Sequence, residues 1–427
     1  MSVSAEALRR FAREVFVRAG LPDAHAAIVA DVLVWADLRG VDSHGVARIP
    51  RYLGMIAAGD LNPTPVLRAR TETPAAVLLE ADRAAGPVAM TAGMEWAVRK
   101  AREAGVGLAL VRATTHTAAL GYYTLLGARQ GMAAIALSGS IPNMAYHGAR
   151  AAGVSTSPLS IAVPRDGGAP LVFDMGTGVI SVGKLAQARR AGRPIPAGSA
   201  LDAQGRPTTD PRAAQIPLPL GGPKGSGLAL MIECITSLLA GHAILAAALE
   251  GAPEGRRHKN NGLAIAIDIA RFGDPRVFGS EVDRLVGAVK RLPRDPEVDE
   301  ILAPGERGQR VFEERSRTGI PVAPATVEEL ARVAERLGVP MFLPGGGCGE
   351  PSRGPTRWRI RQTRSGVSGR SFTRTPVAAK TALAMAGATG MMLPSATPFA
   401  PWGPGPPPPS TIRASNEGGR SEKSGSR

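Results

Sequence analysis

The 427-residue sequence predicts an α/β fold in which a mixed, largely antiparallel sheet with helices is joined to a helical domain made from both ends of the folded body. Three observations predict it. Short β-rich runs alternate with helical stretches from about residue 76 onward. Two of those runs, Leu159 to Val163 and Leu171 to Asp174, are separated only by a turn containing Arg165, Asp166, Gly167 and Gly168, too short for a crossover helix, so they pair antiparallel. Amphipathic helical patterns occur before residue 40 and return between Pro275 and Gly338. The expected organisation is a helical domain from residues 1–75 with 285–343, an α/β domain from 76–284, and a tail from 344–427.

The first forty residues read as a helical hairpin. Leu8, Phe11 and Val15 recur at helical spacing after a Ser4 cap, Gly20 and Pro22 stop the run, and Asp23 caps a second helix with Ile28, Val32 and Trp35 inward. Gly40 ends it. Strands are expected at Gly107–Arg112, Ala133–Ser138, Leu159–Val163, Leu171–Asp174 and Leu263–Ile269, with helices at Val88–Ala104 and Leu228–Ala240. Helical signals come back at Val282–Lys290 and Val327–Leu337. Beyond Pro344 the chain turns to Gly, Pro, Ser, Thr and Arg, a composition that cannot bury enough apolar surface to offset chain entropy, apart from a weak helical signal at Val377–Met392.

Composition narrows the function. The formal charge is +15, but twelve Lys or Arg against three Glu fall after residue 344, leaving +6 on residues 1–344. A body so mildly basic favours an anionic small ligand and calls for neither nucleic acid nor membrane as partner. The two cysteines, Cys234 and Cys348, are too few for a disulfide framework or a cysteine metal site, and no metal is expected. Arg9, Arg10, Arg13 and Glu14 interrupt any signal-peptide pattern, so a cytoplasmic location is expected. Leu228–Leu249 is long and apolar, yet Glu233, Gly241 and His242 break it; it reads as a buried helix, a break near Gly241 and a second helix rather than a membrane span.

Several segments carry more chemistry than connections require. VDSHGVARIPRY, Val41 to Tyr52, is turn-rich and holds Ser43, His44 and Arg48. An arginine fork binds both oxygens of a carboxylate, and an imidazole can take a hydroxyl proton; a turn histidine with a surface arginine is the structural alternative. His116, in RATTHTAALGYY, follows a strand and precedes a helix, a favourable place for acid–base work, although a satisfied loop histidine fits equally. His147 has a similar but weaker claim, while His25, His242 and His258 read as structural or exposed. GGPKGSG, Gly221 to Gly227, opens a helix. Its glycines admit an anion to backbone amides and Lys224 adds charge, so phosphate is the natural ligand, with a flexible turn as the alternative. Gly178, Gly183 and Lys184 have P-loop spacing, but Leu185 stands where a hydroxyl must hold magnesium. No GxGxxG follows a strand early in the α/β region, so a Rossmann site is not supported.

VDSHGVARIPRYL, THTAALGYYTLL, FDM at Phe173–Met175, GRPIPAGSALDAQGRPTTDP, GGPKGSGLALM and APGE at Ala303–Glu306 occur in the order and spacing of the malate/L-lactate dehydrogenase family, which this sequence resembles over about residues 1–343. The resemblance implies a non-Rossmann NAD(P) enzyme, usually a homodimer. It implies that His44 and His116 are the candidates for proton transfer, and that Ser43 and Arg48 bind the substrate carboxylate. Ser140, Gly168, Asp174, Met175, Gly176, Lys224, Gly225, Pro304, Gly305 and Glu306 would line a site for NAD or NADP. Two departures concern the active cleft: many members have HFG where this chain has His116, Thr117 and Ala118, and GTNP where it has Ser155 to Pro158.

The expected activity is hydride transfer between nicotinamide and a small 2-hydroxy or 2-oxo carboxylate. The nearest alternative is reduction of a cyclic 2-imino carboxylate, which needs the same clamp and proton donor. A more distant one is a non-catalytic protein that binds nucleic acid through its basic tail.

Overall fold

The computed structural model describes residues 2–252 and 259–342. The expectations for the tail, for His258 and Cys348, and for a helix at Val377–Met392 lie outside the described residues.

Helix Ala5–Arg18 starts where expected, the Ser4 hydroxyl accepting from Ala7 N at 3.1 Å. The second helix, Asp23–Leu38, corrects one detail. Pro22 holds the cap position and Asp23 is the first helical residue, its carboxylate engaged by Arg13 Nε at 2.6 Å. Glycine at φ 99°, Gly20, makes the turn between them. A salt bridge across the hairpin proved a better use of this acid than a local cap.

Seven strands form the main sheet in the order Arg68–Glu72, Ala76–Glu80, Val106–Thr114, Asn260–Asp268, Met132–Ser140, Leu159–Val163 and Leu171–Met175. Only Ala76–Glu80 and Val106–Thr114 pair parallel; every other neighbouring pair is antiparallel, including the hairpin Leu159–Val163/Leu171–Met175. Period-two alternation assigns the two faces. Leu110, Leu137 and Leu263 pack with Ile232 of the helix Pro223–Glu233. Opposite them, Ala109, Val111 and Ala264 meet Gly93 of the helix Gly86–Ala104, where small residues let helix and sheet approach closely. That helix is so near that a Cβ on Gly107 would lie 1.8 Å from Ala97 O.

The returning helices do meet the first ones. Ser2–Val3 pairs with Ile320–Pro321, Phe11 packs edge-on to Phe342 at 5.1 Å, and Arg315 of helix Glu306–Thr318 bonds the backbone of Asp37. Helix Pro324–Leu337 completes this layer. Helix Pro275–Lys290 lies instead against the Arg165–Gly168 turn, through Asp283 and Gly279. Among the elements not foreseen are strands Arg68–Glu72 and Ala76–Glu80, helix Val182–Ala191, and a small sheet of Ala200–Leu201, Pro207–Thr208 and Ile216–Pro217. The last two share a core of Ile180, Leu185, Ile195, Ala200 and Ala214.

The apolar stretch Leu228–Leu249 breaks at Gly241 as expected, but it is not wholly buried. Helix Pro223–Glu233 continues as a π-helical turn, Cys234–Leu238, then yields to a short helix, Leu245–Leu249. Ala229, Ile232 and Thr236 face inward, whereas Met231 is 57% and Leu239 63% exposed. Among the described residues no helix is long and apolar enough to cross a membrane.

Candidate active site

The segment after the second helix folds as two short 3-10 turns, Asp42–His44 and Val46–Arg48, followed by helix Ile49–Ala57 with Pro50 in its first turn. Asp37, buried at the end of the preceding helix, holds the junction. Its Oδ2 accepts from Val46 N at 2.8 Å, and burial pushes its carboxyl well above the usual range. Gly45 is required here, since a Cβ would lie 1.8 Å from Asp37 Oδ1. Arg315 reaches in from helix Glu306–Thr318 and pairs with Asp42 Oδ1 at 2.5 Å. Thus fixed, the turn presents Ser43, His44 and Arg48 together: Ser43 Oγ lies 2.9 Å from His44 Nδ1, and Arg48 Nε donates to Ser43 O at 2.5 Å. Helix Val182–Ala191 covers this group, with Gly183 so close that a Cβ there would stand 2.7 Å from Ser43 Cβ and 3.0 Å from Arg48 Nη2.

His116 arrives from the other side, on the loop between strand Val106–Thr114 and helix Gly121–Ala128. Its ring stacks on that of His44, centroids 5.6 Å apart and planes inclined by 18°. Buried Tyr52, on the helix after Arg48, fixes it: Tyr52 Oη donates to His116 O at 2.9 Å and lies 3.1 Å from His116 Nδ1. Ala118 N donates to the same ring nitrogen at 3.4 Å, so Nδ1 is held from two sides. Ala118 stands at φ 54°, in the left-handed region, where many family members have the glycine of HFG.

Electrostatics separate the groups. Burial, then the positive charges of Arg48 and Arg51, lower His44 to about 4, so its imidazole is neutral near pH 7. Burial, Arg51 and Arg190 likewise lower Arg48, a guanidinium with no carboxylate in reach among the described residues. His44 is half-buried and Asp174 exposed.

The residues expected at the cofactor fall in four places. Asp174, Met175 and Gly176 end the edge strand of the sheet, and Pro304 and Gly305 dock against that strand: Val172 N donates to Pro304 O at 3.3 Å, while Arg39 Nη2 donates to Gly305 O at 3.1 Å. Asp174 Oδ2 accepts from Gly121 N at 2.8 Å, capping the helix after His116, and burial raises its carboxyl to about 6. Glu306 is committed to Lys290, Arg310 and Ala303 N. Gly168 sits in the turn at the opposite end of the strand, beside Arg165. The third place is Lys224 and Gly225 in the first turn of helix Pro223–Glu233, after Gly221 and Gly222, both at φ 59°. Here Gly225 N donates to Leu220 O at 2.8 Å and a Cβ would meet Leu220 O and Thr177 O at 2.5 Å, so this glycine serves packing and its amide is already engaged. Lys224 is exposed, leaving a cation for a phosphate-bearing ligand, while the fully buried Thr177 Oγ1 lacks a partner among the described groups. Ser140 ends the strand Met132–Ser140, half-buried.

Sequence reasoning missed Asp37, Tyr52 and Gly183 as site residues. Tyr52 lies one helical turn beyond Arg48, a spacing that could have marked it. For Asp37 and Gly183 the contacts come from the tertiary fold alone.

The sequence profile described as malate/L-lactate dehydrogenase matches residues 3–331. Malate dehydrogenase of Pyrococcus horikoshii is 34% identical over 347 residues, 79% of this chain and 96% of that protein. NAD(+) ureidoglycolate dehydrogenase of Escherichia coli K12 is 34% identical over 307 residues, 72% and 88% of the two chains. NADP(+) (2R)-3-sulfolactate dehydrogenase of Chromohalobacter salexigens is 33% identical over 319 residues, 74% and 92%. Among solved structures, the P. horikoshii malate dehydrogenase superposes with a TM-score of 0.73 at 31% identity, covering 80% of this chain and 97% of that one. The Δ1-piperideine-2-carboxylate reductase of Pseudomonas syringae gives 0.69 at 30%, covering 78% and 100%. With a profile spanning most of its length and relatives matched over more than two thirds of it, the chain belongs to the malate/L-lactate dehydrogenase family.

Proposed function

We propose that this protein transfers a hydride between NAD or NADP and a small 2-hydroxy or 2-oxo carboxylate, with His116 as the acid–base group. The observation that carries the reading is the pair of stacked imidazoles beside an arginine without a carboxylate partner among the described residues. Arg48 binds the substrate carboxylate, helped by Ser43. Held in place by Tyr52, the His116 imidazole takes the hydroxyl proton, and the imidazolium returns that proton when a 2-oxo group is reduced. His44, held near 4, is too weak a base for this role at neutral pH and acts as a neutral wall of the same cleft. The nicotinamide, when bound, supplies or accepts the hydride. The exposed ammonium of Lys224 would meet its phosphates, and the Asp174–Gly176 strand end with Pro304–Gly305 the remainder. Arg51, one turn beyond Arg48, and Arg190 add positive charge, which suits an anionic substrate. The division into domains at 75, 284 and 343, a cytoplasmic location and a homodimer are parts of the same reading.

A 340 nm assay tests it, using NADH and NADPH with oxaloacetate, pyruvate, 3-sulfopyruvate and Δ1-piperideine-2-carboxylate. Turnover of a 2-oxo acid is expected. Arg48→Ala should cost several kcal/mol of transition-state stabilisation, about what truncating one partner of a buried charge pair costs. The acid limb of kcat/KM for hydroxy-acid oxidation should survive in His44→Gln and vanish in His116→Gln. Loss of the limb in His44→Gln alone would move the base to His44. Turnover of the imine alone would favour cyclic 2-imino carboxylate reduction, a reading supported by the likeness to the P. syringae reductase.

A further inference from the structure

His116 is aimed by an irregularity in the sheet. Where strand Val106–Thr114 meets Asn260–Asp268, the register passes from Gly262↔Val111 to Asn260↔Thr114, so Arg112 and Ala113 together oppose the single residue Asn261. This is a β-bulge, a device that bends a strand and re-aims the residues beyond it. Ala113 takes the left-handed conformation, φ 55°, which costs a residue with a Cβ, and its N–H bonds to a side chain. The side chain of Asn261, fully buried, supplies the acceptor: Oδ1 receives Ala113 N at 2.9 Å.

That bond fixes the rest of the network. Because an N–H must point at oxygen, the amide of Asn261 has one orientation. Its Nδ2 donates to His242 O at 2.9 Å, and His242 Nδ1, 2.9 Å from Oδ1, must carry a proton to donate. His242 is brought there by the π-helical turn Cys234–Leu238, through its own N–H bond to Ser237 O at 2.9 Å. On the opposite side, Ser138 Oγ donates to Asn261 O at 3.2 Å and accepts from Thr117 Oγ1 at 3.3 Å, bracing the residue after His116. Thr114 and Thr115 hydroxyls both bond Ala84 O, so the segment between bulge and histidine has no slack.

We propose that Asn261, oriented by His242, is a positioning residue for His116: its side chain holds the bulge at Ala113, and the bulge sets where the imidazole stands. This rests on His116 being the acid–base group. Ser43 and Arg48 belong to a separate turn, so carboxylate binding is untouched.

The experiment uses the full-length protein and whichever 2-oxo acid of the panel turns over fastest. Asn261→Ala lowers kcat 10- to 100-fold while KM for that acid changes less than threefold. Asn261→Asp, which keeps an oxygen for Ala113 N, recovers at least a third of the lost activity on a logarithmic scale. On a His116→Ala background, Asn261→Ala lowers kcat less than twofold further, because there is no imidazole left to aim. If Asn261→Ala does not fold, His242→Ala carries the test: it removes the support without emptying the strand and lowers kcat 3- to 10-fold with the same non-additivity. Full kcat in these variants, or losses that multiply with that of His116→Ala, overturns the proposal while leaving His116 as the base. Unchanged turnover in His116→Ala overturns the acid–base reading and this proposal together.

Discussion

His44 and Asp174 respond to acid with opposite sign. Burial, with Arg48 and Arg51, lowers His44 from 6.5 to about 4, so between these values the unfolded chain binds a proton that the folded protein refuses. Stability from this group is therefore present above 6.5 and lost as pH falls toward 4. Burial raises Asp174 from 3.8 to about 6, so in its window the folded state binds the extra proton and stability increases as pH falls from 6 toward 3.8. The two windows overlap, and each offsets part of the other. Urea midpoints at pH 7 and pH 4.5 should show it: Asp174→Asn is expected to lose more stability over this interval than the parent protein, and His44→Gln less. Equal losses in all three would mean that neither group is perturbed as described. Of the active-site residues, the local sequence made His44, His116, Ser43 and Arg48 candidates, each beside a structural alternative, because short loops there gather imidazole, hydroxyl and guanidinium groups. It could not mark Asp37, because an acid inside an apolar helix shows its use only when Val46 N is seen to meet it.

At the scale of elements, strands and helices whose periodicity is strong were legible to within a few residues, as Leu159–Val163 and Gly86–Ala104 illustrate. Elements stabilised mainly from outside were not. Helix Val182–Ala191 begins in a glycine-rich run that resembles a defective P-loop, and its Ser181 cap is recognisable only once Lys184 N is seen to donate to it. GGPKGSG was read for its amides, whereas the fold spends Gly225 on close packing with Thr177 and Leu220. Gly45 shows the same principle within the active-site turn. With Asp37 Oδ1 only 1.8 Å from where its Cβ would be, Gly45→Ala should lower stability by about 1–3 kcal/mol, the usual range for overpacking a tight site. Because the clash is with one side chain, Gly45→Ala/Asp37→Ala should be less destabilised than the sum of the two single variants, as read from denaturant midpoints. Additive losses would show that the backbone, rather than the carboxyl, demands glycine.

For the molecule as a whole, the helix Pro223–Glu233 and its π-helical extension present two apolar faces. One is filled by the sheet, where Ile232 meets Leu110, Leu137 and Leu263. The other runs through Leu228, Met231, Ile235, Leu238 and Leu239 at helical spacing and is open in the single chain. A helix apolar all round is normally covered all round, and a contiguous exposed patch of this kind marks an association surface. A second copy of the chain is the occupant that a closed, two-fold arrangement would provide, with the same face on both sides of the interface. Sedimentation at micromolar concentration should then give a dimer. Met231→Arg/Leu239→Arg should give a monomer with an unchanged circular dichroism spectrum, because both side chains are exposed in the isolated protomer and their replacement there removes little packing. Since the inward half of the same segment carries His242 to Asn261, a monomer that keeps its fold yet turns over slowly would place the catalytic loop under the control of assembly. A parent protein that sediments as a monomer would instead require another cover for that face.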